Sequence, residues 1–245
     1  MDRTPGSGHG HFVRSMFARI SRRYDLLNRL MTFGQDLRWR RQAVQRLPLA
    51  SSSRLLDVGA GTGDLTLEIL RRAPQALVVG VDFTPEMIAR GRARKRASAV
   101  NWVVADALQL PFSKQVFDGV ISGFLMRNLA DVDRALEEQQ RVMRRGGTIV
   151  SLEAVAAESG RRNPILETYF KIIIPLLGRL VAGDAAAYNY LPASMDAFLS
   201  AKEFCARMRG AGFAGVNAVQ RMFGTIAIIW GSKAHDRYEN ISGDA

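Results

Sequence analysis

Apolar positions along this 245-residue chain fall into two rhythms. Short continuous apolar runs predict strands at 54–59, 77–82, 100–105, 117–122 and 147–153. Between them, apolar residues spaced three and four apart predict helices at 63–73, 85–96 and 131–144. Pro85, after Thr84 as cap, suits a first helical turn, and Gly146-Gly147 breaks the chain before the fifth strand. Regular alternation of this kind implies an α/β fold, a parallel sheet with helices on both faces.

The flanks differ. Residues 12–31 read as one amphipathic helix, with Val13, Met16, Phe17, Ile20, Tyr24 and Leu27 on its stripe and Arg14, Arg22 and Arg29 largely off it. A turn at Thr32–Gln35 and a short helix over 37–47, ended by Pro48, complete an N-terminal cap spanning 12–50. Residues 1–11 are polar and Gly-rich and are expected to be disordered, as is the tail 234–245. Residues 154–198 interrupt the alternation inside a main domain of 51–233. Their apolar stretch 165–183, which includes Tyr169, is broken by Lys171, Pro175 and Arg179, so it suits a lid or an interfacial helix better than a membrane span. A helix at 200–210 and strands at 213–220 and 225–231 bring the sheet to seven strands.

Composition narrows the chemistry. Cys205 is the single cysteine, which rules out an internal disulfide and a cysteine metal cluster, and it fits a cytoplasmic setting. His9, His11 and His235 all lie near the termini, which leaves neither a Ser-His-Asp triad nor a histidine zinc site, and no metal is expected. The net charge of +11 is uneven: residues 1–50 hold ten arginines against three aspartates. Such a basic face suits an anionic membrane surface ahead of nucleic acid, for which no motif is present.

The candidate chemistry centres on Asp57-Val58-Gly59-Ala60-Gly61-Thr62-Gly63-Asp64, a turn between the first strand and its helix. Glycines let backbone approach a ligand, and Asp82, closing the second strand, suits a pair of ribose hydroxyls. The D-x-G-x-G-T-G form resembles the S-adenosylmethionine (SAM) site of Rossmann-like methyltransferases rather than the dinucleotide fingerprint. On this reading Asp57, Gly59, Gly61, Thr62 and Gly63 shape the cofactor turn. Asp82 takes the ribose, Phe83 packs on adenine, Asp106 and Ala107 meet its edge, and Gly123 closes the fourth strand beside it. Arg127 and Asn128 follow that strand, where they suit a substrate oxygen; a structural pairing of Arg127 with Asp131 or Asp133 is the competing reading.

Longer motifs resemble one family. Tyr24-Asp25-Leu26-Leu27-Asn28 through Phe33-Gly34, then Arg38-Trp39, resembles Y-D-x-M-N-x-x-M-S-F-G…H-x-x-W. Phe124 with Arg127-Asn128 resembles S-F-G-L-R-N; Arg141 to Gly147 followed by Leu152-Glu153 resembles R-V-L-K-P-G-G…L-E-x-S; and Asp184 with Tyr188 to Leu191 resembles D-A-x-x-Y-x-Y-L. The chain is thereby similar to the UbiE/MenG-type quinone C-methyltransferases over nearly its whole length. Asp36 stands for a usual His, Gly123 for Ser, Leu125 for Gly, Val155 for Ser and Ala193 for Glu.

The resemblance implies a class I SAM-dependent methyltransferase acting on a ring carbon of a polyprenylated hydroquinone, demethylmenaquinol ahead of a methoxy-polyprenyl-benzoquinol. It implies catalytic roles for Arg127, acting through a water or on the phenolate, for Asn128 and for Tyr188. It places the substrate against Tyr24, Asn28, Phe33, Trp39, Tyr169 and Tyr190. Peripheral contact with the inner face of an anionic membrane is expected, and a homodimer is left open. A SAM methyltransferase with another small acceptor, an RNA methyltransferase and a non-catalytic SAM-fold subunit are the alternatives.

Overall fold

A computed structural model describes residues 8–158, 168–173, 190 and 193–234. Its sheet is built from β1 (Arg54–Val58), β2 (Leu77–Asp82), β3 (Val100–Val104), β4 (Phe117–Gly123), β5 (Met143–Ala154), β6 (Phe213–Arg221) and β7 (Ile226–Lys233). The strand order is β3-β2-β1-β4-β5-β7-β6. The pairs from β3 to β5 are parallel, and β7 pairs antiparallel with β5 and β6. This is the Rossmann-like sheet the alternation implies.

The parallel strands are apolar throughout because both of their faces are covered. Leu55, Val78, Ile121 and Val150 pack on one side, with α3 (Gln35–Val44) and α4 (Asp64–Arg72). Leu56, Val79, Val120 and Ile149 pack on the other, with α6 (Val132–Val142) and α7 (Ala201–Gly210). A capping box starts α7: Ser200 Oγ accepts from Glu203 N while Ser200 N donates to Glu203. Between β2 and β3 lies α5 (Pro85–Arg92), shorter than the predicted 85–96.

Two more predicted elements differ. The helix expected over 12–31 is two helices, α1 (Gly8–Ile20) and α2 (Tyr24–Met31). Ser21 Oγ donates to the Ala18 carbonyl and Arg23 N to the Ile20 carbonyl, so local bonds replace the helical ladder at the joint. The re-phasing lets Met16 and Ile20 of one helix and Leu27 and Met31 of the other all reach the core. Residues 8–11, expected to be disordered, form the first turn of α1. At the other site, α6 ends at Val142, because Met143 already pairs with Phe117 of β4; an irregularity in that ladder absorbs Gly146-Gly147.

The interruption after β5 leaves and returns at one place, where Ala156 bridges Ser200. Most of the predicted lid lies outside the described residues; 168–173 are described and hold a single π-turn. Among the described residues no helix is long and apolar enough to cross a membrane.

Candidate functional site: a cofactor cavity joined to an apolar pocket

Strand β1 lies between β2 and β4, so the chain order reverses there, and a crevice opens at the carboxyl ends of the strands. It encloses a cavity of about 310 Å³. Gly59 and Gly61 line it from the β1 turn, Asp82 and Phe83 from β2, Asp106 and Ala107 from the loop after β3, and Gly123 from β4. Helix α1 covers it with Gly10, His11, Val13 and Phe17. The sequence reading missed this cover, since it took residues through 11 as disordered and set the histidines aside; glycines and polar residues at a chain end carry no periodic signal.

The turn tests whether SAM fits. Gly61 has φ +57°, and no heavy atom stands within 4 Å of where its Cβ would be. Any larger residue would therefore project into the cavity. Asp82 Oδ2 accepts from Gly61 N and Oδ1 from Thr84 N, both at 2.8 Å, which fixes the carboxylate at the cavity wall with lone pairs to spare. Burial pushes its carboxyl above the usual range, against the pull of these backbone bonds. The residues present fit SAM: Gly59 and Gly61 would lie beneath it, Asp82 would hold its ribose, and Phe83, Asp106 and Ala107 would meet its base.

Three residues of the motif lie behind the turn and are not among those lining the cavity. A Cβ on Gly63 would stand 2.5 Å from Trp102 Cη2, so this glycine serves helix–strand packing. Thr62 Oγ1 donates to Asp25 Oδ1 of α2 at 2.6 Å. Asp57 is fully buried and accepts from Thr66 Oγ1 at 2.5 Å. Its other oxygen has no partner, and burial pushes its carboxyl up to about 6 despite Thr66 and Arg40.

A second, apolar cavity of about 80 Å³ adjoins the first. Phe17, Tyr24, Phe124 and Asn128 line both. Trp39, 1% exposed, forms part of its wall, and Tyr24, Asn28, Thr32, Asp36, Arg127, Asn128 and Tyr190 are the polar residues among its lining. Tyr190 OH donates to Asn128 Oδ1 at 3.3 Å, and Asn128 Nδ2 to the Phe124 carbonyl. Arg127 Nη1 donates to the same carbonyl at 3.2 Å and lies 3.7 Å from Glu153 Oε2, not against Asp131 or Asp133. Asn28 Nδ2 and Arg127 Nε, both buried, have no hydrogen-bond partner. Phe33 is 76% exposed and its ring lies 5.9 Å from that of Tyr169, tilted by 33°; the Tyr169 hydroxyl donates to the Met31 carbonyl, and neither residue lines this cavity. Tyr188 lies outside the described residues.

A buried ion cluster ties the cap to the motif. Asp64 accepts from Arg29 and Arg94, each at 2.7 Å, and faces Arg40 at 3.5 Å; Arg29 also pairs with Asp36. Burial pushes the Asp64 carboxyl up, but Arg40, Arg29 and Arg94 together outweigh it and hold it at about 2. Arg29 therefore belongs to this internal cluster, and the basic outer face expected of residues 12–31 loses it. Asp36, the departure from a usual His, is a second carboxylate that Arg29 and Arg40 share, beside Asp64. Two further departures have packing reasons. A Cβ on Gly123 would stand 2.6 Å from Leu65 Cδ1, and Leu125 fills the space over Gly59.

The model of the ubiE/COQ5 methyltransferase family matches residues 6–233. The demethylmenaquinone methyltransferase of Thermus thermophilus is 45% identical over 220 residues, 89% of this chain and all of that one. The ubiquinone/menaquinone biosynthesis C-methyltransferase UbiE of Desulfotalea psychrophila is 41% identical over 224 residues, 91% of each. A SAM-dependent methyltransferase of Thermotoga maritima has the same fold, with a TM-score of 0.65 at 22% identity over 90% of this chain and 99% of that one. So does the [4+2]-cyclase SpnF, with 0.66 at 18% over 91% and 95%, which shows that this fold alone does not fix a reaction. Match and identity extend over the cap as well as the sheet: the chain belongs to the ubiE/COQ5 methyltransferase family.

Proposed function

We propose that this chain methylates a ring carbon of a polyprenylated hydroquinone with SAM, and that demethylmenaquinol is the acceptor. The observation that carries the reading is the apolar pocket whose walls Phe17, Tyr24, Phe124 and Asn128 are also walls of the cofactor cavity. A flat apolar ring held in it would lie next to a methyl donor held in the adjoining cavity. The names of the relatives point to a quinone of the menaquinone type.

SAM, when bound, supplies a methyl group already activated on a sulfonium. The acceptor must become nucleophilic: the hydroquinone O–H passes its proton to a water at Arg127, and electron density moves to the neighbouring ring carbon. The unpartnered donors Arg127 Nε and Asn28 Nδ2 suit the ring oxygens. The Arg127 guanidinium stays charged and favours the phenolate over the phenol. Asn128, fixed by Phe124 and Tyr190, holds the shared wall. Methyl transfer to the ring carbon would release the donor as a thioether, and the ring proton, passed to solvent, would restore the aromatic system.

Exposed Phe33 and Phe223 offer apolar surface, and exposed Arg22 and Arg38 of the cap offer positive charge, to the anionic inner leaflet where such a substrate dissolves. The test offers labelled SAM with demethylmenaquinol and methoxy-polyprenyl-benzoquinol separately in detergent, with product masses read out. Transfer to demethylmenaquinol alone is the expected outcome. Transfer to the benzoquinol alone would move the enzyme to the ubiquinone pathway. Tight SAM binding with transfer to neither would overturn the quinol reading.

A further inference from the structure

Behind Arg127 lies a buried acid that the reading above does not use. Glu153, in β5, is fully buried. Its Oε1 accepts from two successive backbone amides, Leu125 N at 2.8 Å and Met126 N at 2.9 Å. Its Oε2 has no hydrogen-bond partner and faces Arg127 Nη1 at 3.7 Å. A buried polar atom left unpaired costs about 1–3 kcal/mol, so a side chain kept in this state calls for a reason. Gln would accept the same two amides without a charge. A carboxylate adds the pull on the guanidinium, whose other tie is the 3.2 Å bond from Nη1 to the Phe124 carbonyl.

We propose that Glu153 is a positioning residue for methyl transfer: its carboxylate shapes the 124–128 loop through Leu125 N and Met126 N and holds the Arg127 guanidinium against the shared wall of the two cavities. Glu153 is not among the residues lining either cavity, so it acts through Arg127. The inference rests on the role of Arg127 in the proposed reaction. A guanidinium freed from its anchor swings, and a displacement near 1 Å at a reacting group costs on the order of a hundredfold in rate.

The geometry has a pH consequence. The groups facing Glu153 are the Arg127 guanidinium of the loop after β4 and the two backbone amides; β7 presents Ala227 opposite it across the ladder. Burial pushes its carboxyl up to about 7, against the Arg127 charge and the amide bonds. Below that pH the anchor is neutral and Arg127 loses its pull, so turnover rises as pH climbs through about 7.

The experiment pairs kinetics with NMR on the full chain. In Glu153→Gln, kcat on demethylmenaquinol is expected to fall about tenfold or more with SAM Kd unchanged, and the rise of kcat near pH 7 disappears. In the wild-type protein labelled with ¹⁵N, the Leu125 and Met126 amides and Arg127 Nε titrate together with a midpoint near 7; in Glu153→Gln they do not move. The NMR arm needs no acceptor. If the wild type methylates no quinol, the proposed function fails while this arm still decides whether Glu153 governs Arg127. A Glu153→Gln enzyme with kcat within twofold and an unaltered pH profile, or an Arg127 Nε that ignores the Leu125 and Met126 titration, overturns the proposal.

Discussion

Gly61 and Gly63 stand two residues apart in one motif and do different work. At Gly61 a Cβ would meet open cavity, whereas at Gly63 it would meet Trp102. Gly61→Ala should therefore weaken SAM binding about tenfold or more while costing only the ~1–2 kcal/mol of a left-handed residue. Gly63→Ala should cost the same strain plus about 1–3 kcal/mol of overpacking, and SAM affinity should follow stability alone. Titration calorimetry with urea melts on both variants checks the pair; equal SAM affinities would reject the cradle at Gly61. Asp57 gives a stability test. Its native carboxyl titrates at about 6 against 3.8 for the free group, so between those values the folded state holds a proton the unfolded state has lost. Stability from this group is greatest below 3.8 and declines as pH rises through 6, by up to about 3 kcal/mol. Asp57→Asn should remove that decline in urea melts between pH 4 and pH 8; an unchanged pH dependence would mean that the buried carboxyl ionises without cost. Arg127→Ala should leave SAM binding intact and cut turnover about a hundredfold; persistent turnover would make Arg127 structural.

At the scale of elements, the motif and the cap form one unit. Asp64 opens α4, and its arginine partners come from α2, α3 and the segment after α5. The sequence showed the acid and the arginines but not their pairing, because an arginine off a helix's apolar stripe reads the same whether it meets water or a distant carboxylate. Asp64→Asn should cost about 1–3 kcal/mol by leaving buried Arg40 and half-buried Arg29 and Arg94 short of a counter-charge. Hydrogen exchange should show α1 to α3 opening before the sheet; uniform protection loss would reject the cluster as the tie. The sign with pH is opposite to that of Asp57. Held at about 2, Asp64 contributes stability above 3.8 that is lost as pH falls from 3.8 toward 2. The joint between α1 and α2 was equally illegible: Ser21-Arg22-Arg23 holds no Gly or Pro, and the break answers to the core beneath it, not to local propensity.

For the molecule as a whole, the basic cap bears on the proposed meeting with a membrane-borne substrate. Pelleting with anionic vesicles should drop several-fold on double reversal of exposed Arg22 and Arg38 and stay unchanged on neutral vesicles; equal pelleting would remove the membrane from the proposed function. The order of strands and helices, the seven-stranded sheet and the cofactor edge were all determined by the sequence, because period-2 and period-3.6 patterns, glycines and a strand-ending Asp82 are local signals. So was membership of the family, carried by whole motifs. Only the tertiary structure decided that Phe17, Tyr24, Phe124 and Asn128 stand in both cavities, that Gly63 packs on Trp102 while Gly61 faces open cavity, and that Glu153 backs Arg127. Those facts join segments up to 111 positions apart, as Phe17 and Asn128 are, and no pattern along a chain encodes which distant side chains share a space: that is fixed when helices and sheet close-pack.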